Sequence, residues 1–243
     1  METQYDVEDV QETRLTKKHV RTLDTWKIHY AEWRGDHPIY LTDQCTVLMS
    51  RIRNMLNYSP EVHYKNRWLN DEIIVAYASI FENDWCRVIG ATQFMSFART
   101  GQLPRGWQTK CTNLARVNHI LIPIHAGVHW LMADVQPLIN QITIMDSYNV
   151  ELMKCSSYLD RKTYEKYTEF LMVCGLLKKN WTLKQHWLKH GQRMSNKEDC
   201  GVFCAIYARN VMTNQNYEFN DTREVVKDIR LLIAQSIYLF QDI

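Results

Sequence analysis

The sequence predicts an α+β domain: helices first, then a small sheet, then helices again. Three observations carry this. Apolar residues recur at helical spacing near 44–56 and 68–81. The period then shortens to brief apolar runs at 117–125, 129–135 and 141–149, and it lengthens again from 151 onward. With only 8 Gly and 5 Pro there is little linker material, which favours one main unit.

The first 16 residues are acidic and weakly periodic, so residues 1–40 read as an extension or arm and 41–243 as the folded domain. "QCTVLMSRIRNML" (44–56) has helical spacing. In "WLNDEIIVAYASIF" (68–81), Asn70 or Asp71 supplies an N-cap, and Ile73, Ile74, Tyr77, Ile80 and Phe81 form an apolar face. "VNHILIPIH" and "HWLMADV" are short strands joined by Ala-Gly. "QITIMDSYN" begins as a strand and ends on turn formers, so the three read as neighbours in one sheet. Helical spacing returns over 151–175. "GVFCAIYARNVM" (201–212) is apolar on nearly every side, as a buried helix is, and 222–240 forms a last amphipathic helix.

Bulk properties exclude several classes. A formal net charge of +2 gives no basic footprint for nucleic acid. No apolar run approaches the roughly 20 residues of a membrane span, and the polar N-terminus lacks a signal peptide's apolar centre. The 7 cysteines (45, 86, 111, 155, 174, 200 and 204) are odd in number and scattered, without zinc spacing. Reduced thiols in the nucleus or cytoplasm are therefore expected, with no metal or cofactor.

One stretch carries chemistry. In "SNKEDCGVFCAIYA" (195–208), Cys200 opens an apolar helix. A helix N-terminus favours a thiolate through its dipole and unpaired N–H groups, and those same groups can bind an oxyanion. Gly201 is expected to let a substrate backbone come close. Taken alone, however, such a cysteine reads as a small buried hydrophobe. A nucleophile needs a histidine base and an acceptor to orient it. Among 9 histidines, His129 sits at a strand end, with His125 four residues earlier as a rival. If 129–135 and 141–145 pair as a hairpin, Asp146 falls near His129. Asp134 is a weaker rival, because alternation points it to the opposite face.

Four separated blocks resemble the SUMO-protease (Ulp/SENP) family of papain-like cysteine proteases. "RWLNDEII" (67–74) resembles its WLND helix start, and "ILIPIHAGVHW" (120–130) its PIH-x-x-x-HW strand. "ITIMDSYN" (142–149) resembles its DS block, and "DCGVFCAIYA" (199–208) its DCG-F helix. The likeness runs from about Trp68 to Met212 and continues more weakly beyond. It implies a papain-like fold, a small central mixed sheet flanked by helices.

The resemblance also implies roles. Cys200 would be the nucleophile, His129 (the histidine immediately before the tryptophan) the base and then the acid, and Asp146 its orienting group. Trp68 and Trp130 would wall a narrow passage for the glycine-glycine tail of a ubiquitin-like modifier, and Asp71 would pair with a basic residue of that modifier. The family places an oxyanion glutamine six residues before the cysteine. Here that position is Met194, which has no donor. Gln192 is assigned the role instead, with Ser195 and Asn196 nearer in sequence. The implied activity is cleavage after the tail glycine of SUMO, or of NEDD8 or ubiquitin, by a monomeric enzyme that binds neither nucleic acid nor membrane. The other readings are a protease of the same design acting on a linear polyprotein, and a weak binder of modifier tails.

Overall fold

A computed structural model describes residues 38–42, 45–57, 67–103, 107, 113–148, 161–176, 180–192, 196–215, 219 and 221–240. Most of the expected arm, 1–37, lies outside the described residues. So do Met194 and Ser195. Strand β1 (Pro38–Thr42) pairs antiparallel with β2 (Cys45–Leu48), and helix α1 (Met49–Leu56) follows directly. The helical spacing read across 44–56 therefore covers two elements. The Thr46-Val47 pair, β-branched and matched to β1, takes extended backbone before the helix begins.

Helix α2 (Asp71–Ser79) starts as its sequence dictates. The Asn70 Oδ1 accepts the Ile73 N–H at 3.1 Å, and Asp71 and Glu72 put negative charge in the first turn. Next come β3 (Cys86–Val88), α3 (Ala91–Thr100) and a 3₁₀ turn at Leu114–Arg116. The three expected neighbouring strands are β4 (His119–Ala126), β5 (His129–Gln136) and β6 (Gln141–Tyr148). After them run α4 (Arg161–Val173), β7 (Thr182–Gln192), α5 (Cys200–Thr213) and α6 (Arg223–Phe240).

The larger sheet has the order β3-β4-β5-β6-β7. Its three central strands are antiparallel, while β3 and β7 lie parallel to their neighbours. The fold is α+β, a mixed sheet flanked by helices, six of them α-helices among the described residues. Neither parallel edge strand is visible as alternation in the sequence: β3 has only three residues, and β7 interrupts its apolar positions with lysine and histidine. On one sheet face, Ile120, Ile122, Ala133, Val135 and Ile144 pack with Phe94 of α3 and Phe170 of α4 in the main apolar core. The other sheet face meets α5, whose Gly201 lies against Trp130.

Gly201 is packed closely within the chain. A Cβ there would lie 2.8 Å from the Leu69 Cβ and 3.4 Å from both Ile74 Cδ1 and Trp130 Cδ1. The Leu69 Cβ is fixed to backbone and cannot rotate away. Gly201→Ala should therefore cost ~1–3 kcal/mol as overpacking, measured by urea unfolding.

Candidate active site

The β5–β6 register builds the first half of the site. Leu131 pairs with Asp146, and His129, two residues before Leu131, shares its face. The His129 Nε2–H donates to Asp146 Oδ1 at 2.8 Å, and both side chains are buried. Because the carboxylate only accepts, the proton of this bond sits on Nε2, leaving Nδ1 for another partner. Cys200, at the N-terminus of α5, is the other group that acts on the ring. Burial alone would lower the imidazole's pKa. The hydrogen bonds to Asp146 and Cys200, with their charges, outweigh it and push the value up to about 9.

The rivals are accounted for. Asp134 faces the other way and accepts from His119 Nδ1 at 2.9 Å and Gln136 Nε2 at 2.9 Å. His125 is exposed, its ring tilted over Trp130 at 4.7 Å. Burial lowers its pKa, partly countered by the Asp71 carboxylate.

Cys200 is only 4 % exposed, so whatever reaches it must be thin. A groove of about 460 Å³, lined among others by Trp68, Leu69, Asp71, His125 and Trp130, reaches the start of α5 through Leu69 and Trp130, while Cys200 and His129 are not among its lining residues. Trp130 is held in place by an Nε1–H···O bond to the Leu69 carbonyl at 2.9 Å. Leu69 and Trp130 are also packed, with Ile74, on Gly201, next to Cys200. The groove wall and the start of α5 are thus in direct contact.

Two features were not read from the sequence. Tyr148 stacks on the His129 ring at 4.5 Å and 23°. Its N–H donates to Asp146 Oδ1 at 2.9 Å, and its hydroxyl to the Asn196 carbonyl at 3.3 Å. The turn-forming look of "DSYN" hid this role, although an aromatic two residues past the acid was a signal to weigh. The second feature is Arg230, which is 1 % exposed. Its Nε and Nη2 donate to Asp199 Oδ1 at 2.9 and 2.5 Å. Asp199 precedes α5 yet makes no side-chain cap bond, so its carboxylate does not consume the helix's first N–H groups.

Gln192 is buried at the end of β7. Its Oε1 accepts from Ser147 Oγ at 2.7 Å, and its Nε2 donates to the Asn196 carbonyl at 2.8 Å. Those contacts brace the residue after Asp146 against the loop before Cys200. Among the described residues no cluster of His, Cys, Asp or Glu is arranged to hold a metal, and no helix is long and apolar enough to cross a membrane.

The raised value for His129 has a pH consequence. The pairing stabilises the fold in full below the ordinary 6.5, and the contribution is lost as pH rises through about 9. The stability gap between the wild type and His129→Gln should therefore be widest near neutral and acid pH and should close above 9, read by denaturant unfolding across pH. Tyr148→Leu should lower the His129 pKa by up to about one unit, the worth of an aromatic stack, whereas Tyr148→Phe should leave it in place, read by NMR titration.

Comparison with known proteins identifies the domain. Residues 41–241 fit the model of the Ulp1 protease family, C-terminal catalytic domain. The chain is 24% identical over 165 residues to Sentrin-specific protease 3 of Mus musculus, covering 64% of this chain and 27% of that protein. It is 26% identical over 163 residues to Sentrin-specific protease 5 of Homo sapiens, covering 63% and 20%. The chain thus spans about a quarter or less of the length of these relatives. Among solved structures, the C-terminal Ulp1 protease domain in complex with Smt3, the yeast ortholog of SUMO, shares its fold. That match has a TM-score of 0.67 at 16% identity and covers 90% of this chain and 94% of that one. A de-sumoylating protease matches with a TM-score of 0.54 at 14% identity, covering 86% and 92%. The chain belongs to the Ulp1 protease family of cysteine peptidases, matching its catalytic domain over residues 41–241.

Proposed function

We propose that this protein is a thiol isopeptidase and endopeptidase that cleaves after the Gly-Gly tail of a ubiquitin-like modifier, with SUMO as the favoured modifier. The observation that carries the reading is the buried His129–Asp146 pair meeting Cys200 at a helix N-terminus, next to a tryptophan-lined groove. The relatives named for sentrin and SUMO support the choice of modifier.

In this reading His129 Nδ1 takes the Cys200 proton, while Asp146 holds the ring and stabilises the imidazolium. The sulfur attacks the carbonyl of the terminal glycine. The oxyanion is received by backbone N–H groups at the start of α5, chiefly that of Cys200, which the helix leaves without an internal acceptor. His129 then gives its proton to the departing lysine amine, and water, activated by the same imidazole, hydrolyses the thioester. Gln192 supports the reaction by bracing the loop before Cys200. Trp68 and Trp130 flank the tail, and Asp71 meets a basic residue of the modifier body. Flat aromatic walls next to the start of α5, where Cys200 is only 4 % exposed, admit glycine and reject side chains. The enzyme acts as a monomer without metal or cofactor, in the nucleus or cytoplasm, where thiols such as Cys86, Cys174 and Cys204 stay reduced.

The test is covalent capture. The wild type and Cys200→Ala are incubated with tail-electrophile probes of SUMO, NEDD8 and ubiquitin, and intact mass is read. A Cys200-dependent adduct, strongest with SUMO, is expected. No adduct with any probe, while iodoacetamide still labels Cys200, would overturn the modifier reading and favour a linear protein substrate. In turnover of the captured modifier's substrate, Asp146→Asn should lower kcat at least ~100-fold. Gln192→Ala should cost less than the ~100-fold typical of a lost oxyanion donor.

A further inference from the structure

The tail groove and the nucleophile lie on segments far apart in sequence, and a second ion pair joins them. Arg67 immediately precedes Trp68, and Glu198 lies two residues before Cys200. Across 131 residues, Arg67 Nε donates to Glu198 Oε2 and Nη2 to Oε1, each at 2.8 Å. This is a two-point fork, and the side chains are only 14% and 29% exposed. One buried guanidinium also gathers the backbone of both partners. Arg230 Nη1 donates to the Arg67 carbonyl at 2.5 Å and the Met55 carbonyl at 3.3 Å, while Nη2 donates to the Glu198 carbonyl at 3.1 Å. With its bonds to Asp199, Arg230 spans from the end of α1 to the nucleophile's turn. Each end of the bridge is therefore fixed twice, once by side chain and once by carbonyl.

We propose that the Arg67–Glu198 bridge, seated on Arg230, is a positioning device for the tail clamp. It fixes the distance between the Trp68 wall and Cys200, and thereby the enzyme's selectivity for glycine next to the scissile bond. Neither side chain touches the reacting atoms. Packing alone would let the Trp68 segment slide against α5, because an apolar contact has no direction, whereas a planar fork against a carboxylate sets both distance and angle. The inference rests on the tail-cleavage reading above.

The test uses SUMO fused through its tail to aminomethylcoumarin, with native Gly-Gly and with Ala-Gly in its place. The enzymes are wild type, Arg67→Met, Glu198→Gln and the Arg67→Met/Glu198→Leu double variant. Each single variant should lose about tenfold to a hundredfold in kcat/KM on the Gly-Gly substrate, the scale of a small misplacement in a site. Preference for Gly-Gly over Ala-Gly should shrink, and the double variant should lose no more than the worse single. Alkylation of Cys200 by iodoacetamide, mapped by mass, should stay within about twofold of wild type, because the nucleophile's turn keeps Arg230. Glu198→Gln preserves shape and one acceptor, so it keeps the test open if Arg67→Met fails to fold. The proposal is overturned if kcat/KM and tail preference stay at wild-type values, or if alkylation falls in step with turnover. If the wild type itself turns over no Gly-Gly substrate, the tail-cleavage reading has failed instead.

Discussion

The buried Arg230 guanidinium is the constraint on which the site depends. A charge with 1 % exposure persists only when its donors are met, and here five contacts to Asp199 and three backbone carbonyls meet them. Satisfying that one group fixes the end of α1, the residue before Trp68 and the residue before Cys200 relative to α6. It also draws the Asp199 carboxylate away from the helix it precedes. An aspartate at that position would ordinarily cap α5 and spend its first N–H groups. Held by Arg230, it leaves those donors for a ligand's oxygen. The cost of an uncapped helix is thus coupled to an available anion site.

The His129–Asp146 pair rests on a second constraint, sheet register. His129 and Asp146 share a face because Leu131 pairs with Asp146, and the main core on that face holds the register. A slip of one residue would turn every side chain of β5 to the other face, exchanging His129 for Trp130. The same alternation explains the fate of the two aspartates. Asp146 serves His129, while Asp134 forms a separate pair with His119 on the far side.

Around the imidazole, opposing terms are resolved in favour of charge. Burial disfavours a cation, but the Asp146 bond, the Cys200 contact and the stacked Tyr148 ring all favour it. The raised pKa leaves His129 protonated at neutral pH beside Cys200. Tyr148 and Gln192 both end on the Asn196 carbonyl, so the loop ahead of Cys200 is braced from β6, which also carries Asp146, and from its neighbour β7.

The sequence by itself determined the local elements whose cause is local. The Asn70 cap and acidic first turn start α2, short apolar runs mark β4, β5 and β6, and a longer apolar run makes α5 a buried helix. The hairpin pairing then brings His129 and Asp146 together, because hairpin register follows from adjacent segments. The tertiary structure alone decided what depends on distant partners. The short β3 and the lysine- and histidine-bearing β7 become strands only against β4 and β6. Residues 45–48 extend because β1 lies beside them. Gly201 is required by Leu69, which approaches from another segment. The fork between Arg67 and Glu198 and the five bonds of Arg230 join residues with no spacing signature at all. Side-chain pairing across long loops is set by how packed elements meet, and a linear pattern of polarity contains no term for it.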